Sequence, residues 1–335
     1  WRRLLPGRTR DRFARSATKR DPMQPVRRWE SATANASAIP PGPSSLNAAS
    51  PAMVMASADL KAAFQMLHGR AAIHFPPVEQ PEVSVIIPAY RGLDDVLNCL
   101  RSLAVHGHNE PSFEVIVVDD CPSESVLWAL PPSGGLRTLG NDVNLGFLLT
   151  CRRGADIARG KVLCFLNSDT LVTAGWLSTM VAALASSPKV GMVGSMLLNR
   201  DGTIQDVGWR MLSNGWGDPI GRGAAAFDGR FTYRRTVDCV TGACFVVSRE
   251  VWDRVDGFDP LYAPAFYEEF DLAFRLRRLG LETVCEPRSQ VIHLGSASYG
   301  AAERDRLSGR NHAKFCERFA DELRKQPSKI GRAHG

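Results

Sequence analysis

The sequence predicts an α/β protein with a doubly wound, mostly parallel sheet and helices on both faces. Three observations carry this expectation. The runs VSVIIP (83–88), FEVIVVDD (113–120) and VLCFL (162–166) are apolar without polar alternation, as strands buried on both faces are. They alternate with stretches of helical spacing, such as LDDVLNCLRSLAVH (93–106), where Val96, Leu97, Leu100, Leu103 and Ala104 recur on one face. Each run also ends in polar or turn-forming residues: Pro88-Ala89-Tyr90, Asp119-Asp120 and Asn167-Ser168-Asp169. In a parallel sheet these ends share one edge, and ligands bind beyond it.

Composition narrows the class. A chain of 335 residues with 44% hydrophobic and 23% charged residues can bury one or two sizeable cores. The net charge of +6 belongs to the N-terminus, because the first thirty residues hold ten Lys or Arg against three acids. The remainder is close to neutral and gives no support for nucleic-acid binding. Eight scattered cysteines, with no CxxC pair, read as buried thiols of a reducing, cytoplasmic compartment. No apolar run approaches the roughly 18–20 residues that span a bilayer, and the Arg-rich start has no apolar core of a secretory signal. A first residue of Trp1 instead of Met suggests a piece of a longer chain.

The elements follow in order. Residues 1–57, basic and then Ala/Ser/Pro-rich, are expected to be disordered or a linker. Residues 58–82 hold one short helix (58–68) and a proline-punctuated lead-in. After the first two strands, LRTLGN (136–141) is a weaker third, and GFLLTCRRGADIARG reads as a helix ending at Gly160. In WLSTMVAALA the Trp176, Leu177, Met180, Val181 and Leu184 stripe is core. KVGMVGSMLL follows, then a Gly/Trp-rich stretch (201–230) with little periodicity. VDCVTGACFVVSREVWDRV is a strand broken at Thr241-Gly242-Ala243, with a short helix after it. In FYEEFDLAFRLRRLG, Glu269 shares a helical face with Leu272, Ala273 and Leu276 and is expected to point inward, while Asp271 and Arg275 are expected to pair on the surface. The bland account, in which Glu268 and Glu269 merely complement a helix dipole, stands beside the catalytic one at this point. SQVIHLG (289–295) is a short strand presenting His293. No GxGxxG follows the first strand, GRGAAAF (221–227) is a loop, and no P-loop occurs.

In this order and spacing, VSVIIPAYRG, FEVIVVDDCPSES, NLGFLLTCRRGADIARG, LCFLNSDT, VTGACFVVSREVWDRVDGFD, YEEFDLAFRLRRLG and VIHLGSASYG resemble family 2 glycosyltransferases of the GT-A fold. The likeness runs from Val83 to Leu323, and RNHAKFCERFADEL is similar to the family's terminal helix. It is greatest to bacterial enzymes of surface-polysaccharide assembly, rhamnosyltransferases among them. The resemblance implies one catalytic domain over 83–325, with a nucleotide-binding half (83–170), an acceptor-binding half (171–300), a C-terminal helix (301–325) and a tail (326–335).

It also implies roles by position. Asp169 ends the family's DxD element and, with His293, would hold a divalent cation, Mg²⁺ or Mn²⁺. Pro88, Ala89, Tyr90, Asp119 and Asp120 match the region for base and ribose. Asn144, Gly146, Phe147 and Arg153 match the segment along the nucleotide, with Asn167 and Ser168 at the donor. Glu269, with Glu268 beside it, sits where the family places its general base, and Thr241, Gly242 and Ala243 face the acceptor. The implied reaction moves one sugar, with inversion, from a nucleoside-diphosphate sugar to a glycan or lipid-linked acceptor in cell-envelope assembly. Two departures stand out: Asn167 replaces an acid in the DxD element, and the base is Glu where the pattern has Asp. They keep a second reading open, a weakly active or inactive nucleotide-sugar-binding module of a longer protein. QPVRRW (24–29) is similar to the QxxRW element of processive synthases but has an extra residue and precedes the domain. The basic tail reads as a solvated linker, with peripheral contact to anionic lipid at the inner face of the plasma membrane as the alternative.

Overall fold

The computed structural model describes residues 71–295 and 299–328. The expected linker (1–57), the helix at 58–68 and the QPVRRW segment lie outside the described residues, as does most of the tail. The first half is built from β1 (Val83–Ala89), β2 (Phe113–Asp119), β3 (Leu136–Gly140) and β4 (Val162–Leu166). All pair in parallel, β1 between β2 and β4, with β3 outside β2. The helices α1 (Leu93–His106) and α2 (Phe147–Ile157) make the crossovers.

Successive residues of β1 serve opposite faces of the sheet. Val85 and Ile87 join the cluster of Leu100, Leu103 and Trp176, whereas Ile86 joins Leu148, Phe165 and Phe245. This two-sided burial is why the strand has no polar alternation. Burying a side chain of this size contributes about 1.5–3 kcal/mol relative to exposure.

The second half adds β5 (Thr170–Val172), α3 (Trp176–Ala185), β6 (Val190–Leu198), β7 (Ile204–Asp206), β8 (Trp209–Met211), β9 (Gly217–Pro219) and β10 (Arg235–Val237). It closes with β11 (Cys244–Ser248), α4 (Arg249–Arg254), α5 (Glu268–Arg278), β12 (Glu282–His293), α6 (Ala301–Arg318) and α7 (Ala320–Leu323). The main sheet runs β10-β12-β6-β11-β4-β1-β2-β3, with β5 on β12 and β7 on β6. It is mixed, because β11 is antiparallel to both β4 and β6 while β6 and β12 are parallel. Among the described residues no helix is long and apolar enough to cross a membrane.

Several expectations change in detail. The helix after Gly146 ends at Ile157, not Gly160, because the Arg159 N–H leaves the helix to donate to Ser84 Oγ and Glu114 Oε1. The strand that presents His293 starts at Glu282 and has a register shift between Glu286 and Gln290, so 289–295 is only its end. The 201–230 stretch contains β7 and the β8–β9 hairpin. Asp271 and Arg275 do pair, Nε to Oδ2 at 2.5 Å, but Asp271 is fully buried rather than on the surface. α6 covers that face of α5, and Arg318 reaches Asp271 from above at 3.0 Å.

One buried acid ties the first half together. Glu114 is 0% exposed; its Oε1 accepts from Ser84 Oγ at 2.7 Å and from the Arg159 N–H at 2.8 Å. Its Oε2 accepts from Arg137 Nη1 and Arg159 Nε, both at 3.0 Å. Burial pushes this carboxyl up, but the hydrogen bonds from Ser84, Arg159 and Arg137 together hold it below its ordinary 4.5. A depressed carboxylate stabilises the fold above its unfolded value and loses that contribution as pH falls. Glu114→Ala should cost about 3 kcal/mol by urea unfolding at pH 7. The wild-type advantage over Glu114→Gln should shrink as the titration is taken below pH 4.5, the ordinary value of the group.

Candidate active site

The parallel register brings three strand ends to one edge: Ala89 pairs with Asp119, Asp119 with Gly140, and Ile86 with Phe165. Beyond this edge lies a cleft of ≈ 1110 Å³. One wall of the cleft takes Pro88, Ala89, Tyr90, Asp120, Asn144 and Phe147. Its floor takes Asn167, Ser168, Asp169 and His293, and Thr241, Gly242, Ala243, Glu268 and Glu269 face them.

Asp169 and His293 are 124 positions apart in the chain but neighbours in the sheet. β5 pairs antiparallel with the end of β12, Thr170 opposite His293, and the Leu294 N–H donates to the Asp169 carbonyl at 2.8 Å. Asp169 Oδ1 then lies 3.3 Å from His293 Nε2. The other ring nitrogen, Nδ1, meets Gln205 Oε1 at 3.0 Å, which fixes the ring plane. A buried Asn167 Oδ1 without a hydrogen-bond partner opens onto the same floor. Among the described residues no group of three His, Cys, Asp or Glu is clustered to hold a metal by itself.

Asp119, Gly146 and Arg153 do not line the cleft; they hold its wall in place. Asp119 caps the turn after β2, accepting from the Cys121 and Val126 N–H groups at 3.1 and 3.2 Å. Asp120 accepts from the Leu145 and Gly146 N–H groups at 2.7 and 2.8 Å and from Asn141 Nδ2 at 2.8 Å. Arg153 Nη1 donates in turn to Asn141 Oδ1 at 2.5 Å. The loop that carries Asn144 and Phe147 is therefore tied to the end of β2 by one carboxylate. Gly146 sits at φ +80°, and a Cβ there would meet Pro264 Cβ at 2.2 Å.

The opposite wall is set by an unusual helix start. Phe266 and Tyr267 both take left-handed φ, +74° and +75°, immediately before α5. Two such residues in succession turn the chain sharply, so Glu268 and Glu269 enter the cleft instead of lying along a helix flank. Glu268 is 4% exposed and lies deeper than Glu269, so the inward direction expected for Glu269 applies to both acids. Burial raises Glu269 to about 7; its own N–H and that of Gly242 pull the other way, and the Asp206 charge adds to the rise. Burial, then repulsion by Glu269, pushes Glu268 well up. A Cβ on Gly242 would sit 3.5 Å from the Phe147 ring and 3.9 Å from the Glu269 carboxyl carbon, so this backbone lies between Phe147 and the acid.

Residues from 201–230 that sequence reasoning did not single out complete the cleft: Gln205, Trp209, Trp216 and Arg222. Tyr299 and Arg304 close the far rim. Trp209 Nε1 donates to Thr241 Oγ1 at 3.0 Å, and Thr241 Oγ1 donates to Asp206 Oδ2 at 2.8 Å. The only available signal was the aromatic content of a stretch without periodicity.

A crevice at the carboxyl ends of parallel strands, with an acid–imidazole pair below and raised carboxyls opposite, is where an open α/β sheet binds its ligand. Residues 84–255 match the family model described as glycosyl transferase family 2, and the chain belongs to that family. It is 31% identical over 242 residues to protein y4gI of Sinorhizobium fredii, covering 68% of this chain and 26% of that one. It is 30% identical over 236 residues to the O-antigen biosynthesis protein RfbC of Myxococcus xanthus, covering 68% and 18%. With the N-acetylglucosaminyl-diphospho-decaprenol L-rhamnosyltransferase of Mycobacterium tuberculosis, it shares 26% over 165 residues, 44% of this chain and 52% of that one. The chain thus spans about a quarter or less of the first two relatives.

Among solved structures, GalNAc-T7 with UDP, GalNAc and Mn²⁺ superposes with TM-score 0.56 at 17% identity, covering 73% of this chain and 49% of that one. The mannosyltransferase PcManGT of Pyrobaculum calidifontis, with GDP-Man and Mn²⁺, gives TM-score 0.53 at 18% identity, covering 80% and 72%. The fold is GT-A, as the sequence predicts.

Gly146→Ala should lose roughly 2 kcal/mol of stability from backbone strain and the Pro264 overlap. Differential scanning calorimetry would show this as a fall of several degrees, and an unchanged midpoint would mean that the loop bends without cost.

Proposed function

We propose that this chain transfers one sugar from a nucleoside-diphosphate donor to a hydroxyl of a glycan or lipid-linked acceptor, with inversion, in cell-envelope polysaccharide assembly. The observation that carries this reading is a single cleft with Asp169 and His293 paired at 3.3 Å on its floor and Glu269 opposite, raised to about 7. Names of relatives in O-antigen biosynthesis and rhamnosyl transfer support the envelope setting.

The donor set fits a divalent cation. An acid oxygen and an imidazole nitrogen lie 3.3 Å apart on the cleft floor, and Asp169 and His293 are the residues that would hold it. Mn²⁺ in both structural neighbours supports the same reading. A cation held there would balance charge as the diphosphate departs. The chain's own residues do the rest. Tyr90, Asn144 and Phe147 hold the donor against the strand ends. Asn167 offers an uncharged acceptor atom, suited to a ribose or diphosphate-side contact. Glu269 takes the proton of the acceptor hydroxyl as its oxygen bonds to the anomeric carbon and the bond to the diphosphate breaks. A single displacement inverts the centre. Glu268 stands beside Glu269 in the cleft, and burial followed by repulsion from Glu269 pushes its carboxyl well up.

Asp169→Ala and Glu269→Gln should each lower transfer by at least about a thousandfold with the fold retained by circular dichroism. Near-wild-type turnover in either would remove that residue's assigned role. The base must be ionised, so kcat/KM should rise with pH and level off above about 7, the raised value of Glu269. The sign for stability is opposite, since the folded state holds this proton longer than the unfolded chain and is weakened as pH climbs from 4.5 to about 7. With UDP-, GDP- and dTDP-sugars, nucleoside diphosphate release should require added Mg²⁺ or Mn²⁺ and stop with chelator. A pure nucleotide-sugar binder would release none.

A further inference from the structure

We propose that Trp216 is the platform on which the acceptor's sugar ring rests, and that His312 positions it. The acceptor class this defines is a glycoside whose terminal pyranose presents an unobstructed C–H face. The proposal rests on the transferase reading and adds the identity of the acceptor's binding face.

Trp216 is 46% exposed and lines the cleft. One face of its indole is covered by the His312 ring, stacked at 4.2 Å and 14°. His312 itself does not line the cleft, so the open part of the indole is turned to the cavity. A large exposed ring usually moves; this one is pinned. His312 Nε2 donates to the Asn214 carbonyl at 2.8 Å, and Tyr267 OH donates to the Gly215 carbonyl at 3.1 Å. The Trp216 N–H donates to Asn214 Oδ1 at 3.1 Å, and its carbonyl accepts from the Leu212 N–H at 2.9 Å. Gly215 adopts φ +80° against α6, where a Cβ would meet Cys316 Sγ at 2.3 Å. These contacts fix a flat apolar surface before any ligand arrives, which lowers the ordering cost of binding.

The ring also stands in register with the acid. Tyr267 lies edge-on to Trp216 at 6.5 Å and to Phe270 at 5.3 Å, and Phe270 lies 5.7 Å from Trp209. Glu268 and Glu269 are the two residues between Tyr267 and Phe270. The aromatic file of Trp216, Tyr267, Phe270 and Trp209 therefore flanks the turn that carries Glu268 and Glu269. Flat apolar rings with a few convergent polar atoms suit a pyranose, whose C–H groups lie on its faces and whose hydroxyls lie on its rim. A ring seated on Trp216 would keep its hydroxyl rim free for Glu269.

The test reads binding without turnover. Methyl α- and β-pyranosides of glucose, galactose, N-acetylglucosamine and rhamnose are offered to the full chain with Mg²⁺ and UDP, GDP or dTDP, in saturation-transfer NMR. At least one glycoside should receive saturation at the C–H protons of one ring face. Trp216→Ala should weaken its binding about tenfold and Trp216→Phe much less, while the thermal shift given by the nucleoside diphosphate stays unchanged. His312→Ala should weaken glycoside binding, and His312→Phe, which keeps a flat ring beneath Trp216, should restore it. Glycoside saturation undiminished in Trp216→Ala, or absent for every glycoside in the wild type, overturns the proposal. Failure of the transferase reading shows separately, as no diphosphate release from any donor.

Discussion

The site depends on how β12 is paired. Its first part is held between β6 and β10, and its last three residues turn their other edge to β5. β5 is only three residues long and directly follows the strand end that supplies Asn167, Ser168 and Asp169. Main-chain hydrogen bonds, not side-chain attraction, therefore decide that Asp169 and His293 meet. Such bonds individually contribute about 0.5–1.5 kcal/mol, but a ladder leaves register no freedom, since a slip by one residue would turn His293 to the opposite face.

The same economy of main chain governs the acids opposite. Two left-handed residues, Phe266 and Tyr267, aim Glu268 and Glu269 into the cleft, and Asn311 accounts for why this turn holds. Its Nδ2 donates to the carbonyls of Tyr262, Ala265 and Phe266 at 2.7, 2.9 and 2.8 Å. A fully buried amide on α6 thus satisfies the carbonyls of a loop with no ladder of its own. Dry surroundings then raise both carboxyls, and repulsion between them adds to the rise of Glu268.

Much of this was legible in the sequence, for a physical reason. VSVIIP, FEVIVV and VLCFL are buried on both faces, so their composition reports their position directly, and the residues after them fall at the sheet edge by geometry. The long strand ending at His293 was read only from 289, because Glu286, Pro287 and Arg288 interrupt the apolar run. The structure resolves the interruption: Glu286 is buried and paired with Arg234 and Arg288 at 2.8 and 2.9 Å. Trp209, Trp216 and Gln205 were not legible, since β7, β8 and β9 are three residues each, too short for a period to appear. Asp271 looked like a surface partner of Arg275 because i, i+4 spacing says nothing of what packs over the pair.

The two walls of the cleft are anchored by different kinds of structure. The wall beside Pro88, Ala89 and Asp120 grows from strand ends inside the sheet, where a change in one residue disturbs its neighbours on both faces. Across the cleft, the β8–β9 hairpin is joined to its surroundings through Trp209 at Cys239 and Thr241, Met211 at Asp238, and a loop braced on α6. An insertion in the turn between β8 and β9 would leave the ten-stranded sheet unaltered, because that hairpin is a separate two-stranded sheet. Such a scaffold is suited to diversification, because a hairpin outside the main sheet can be reshaped while the strand ends that floor the cleft keep their register.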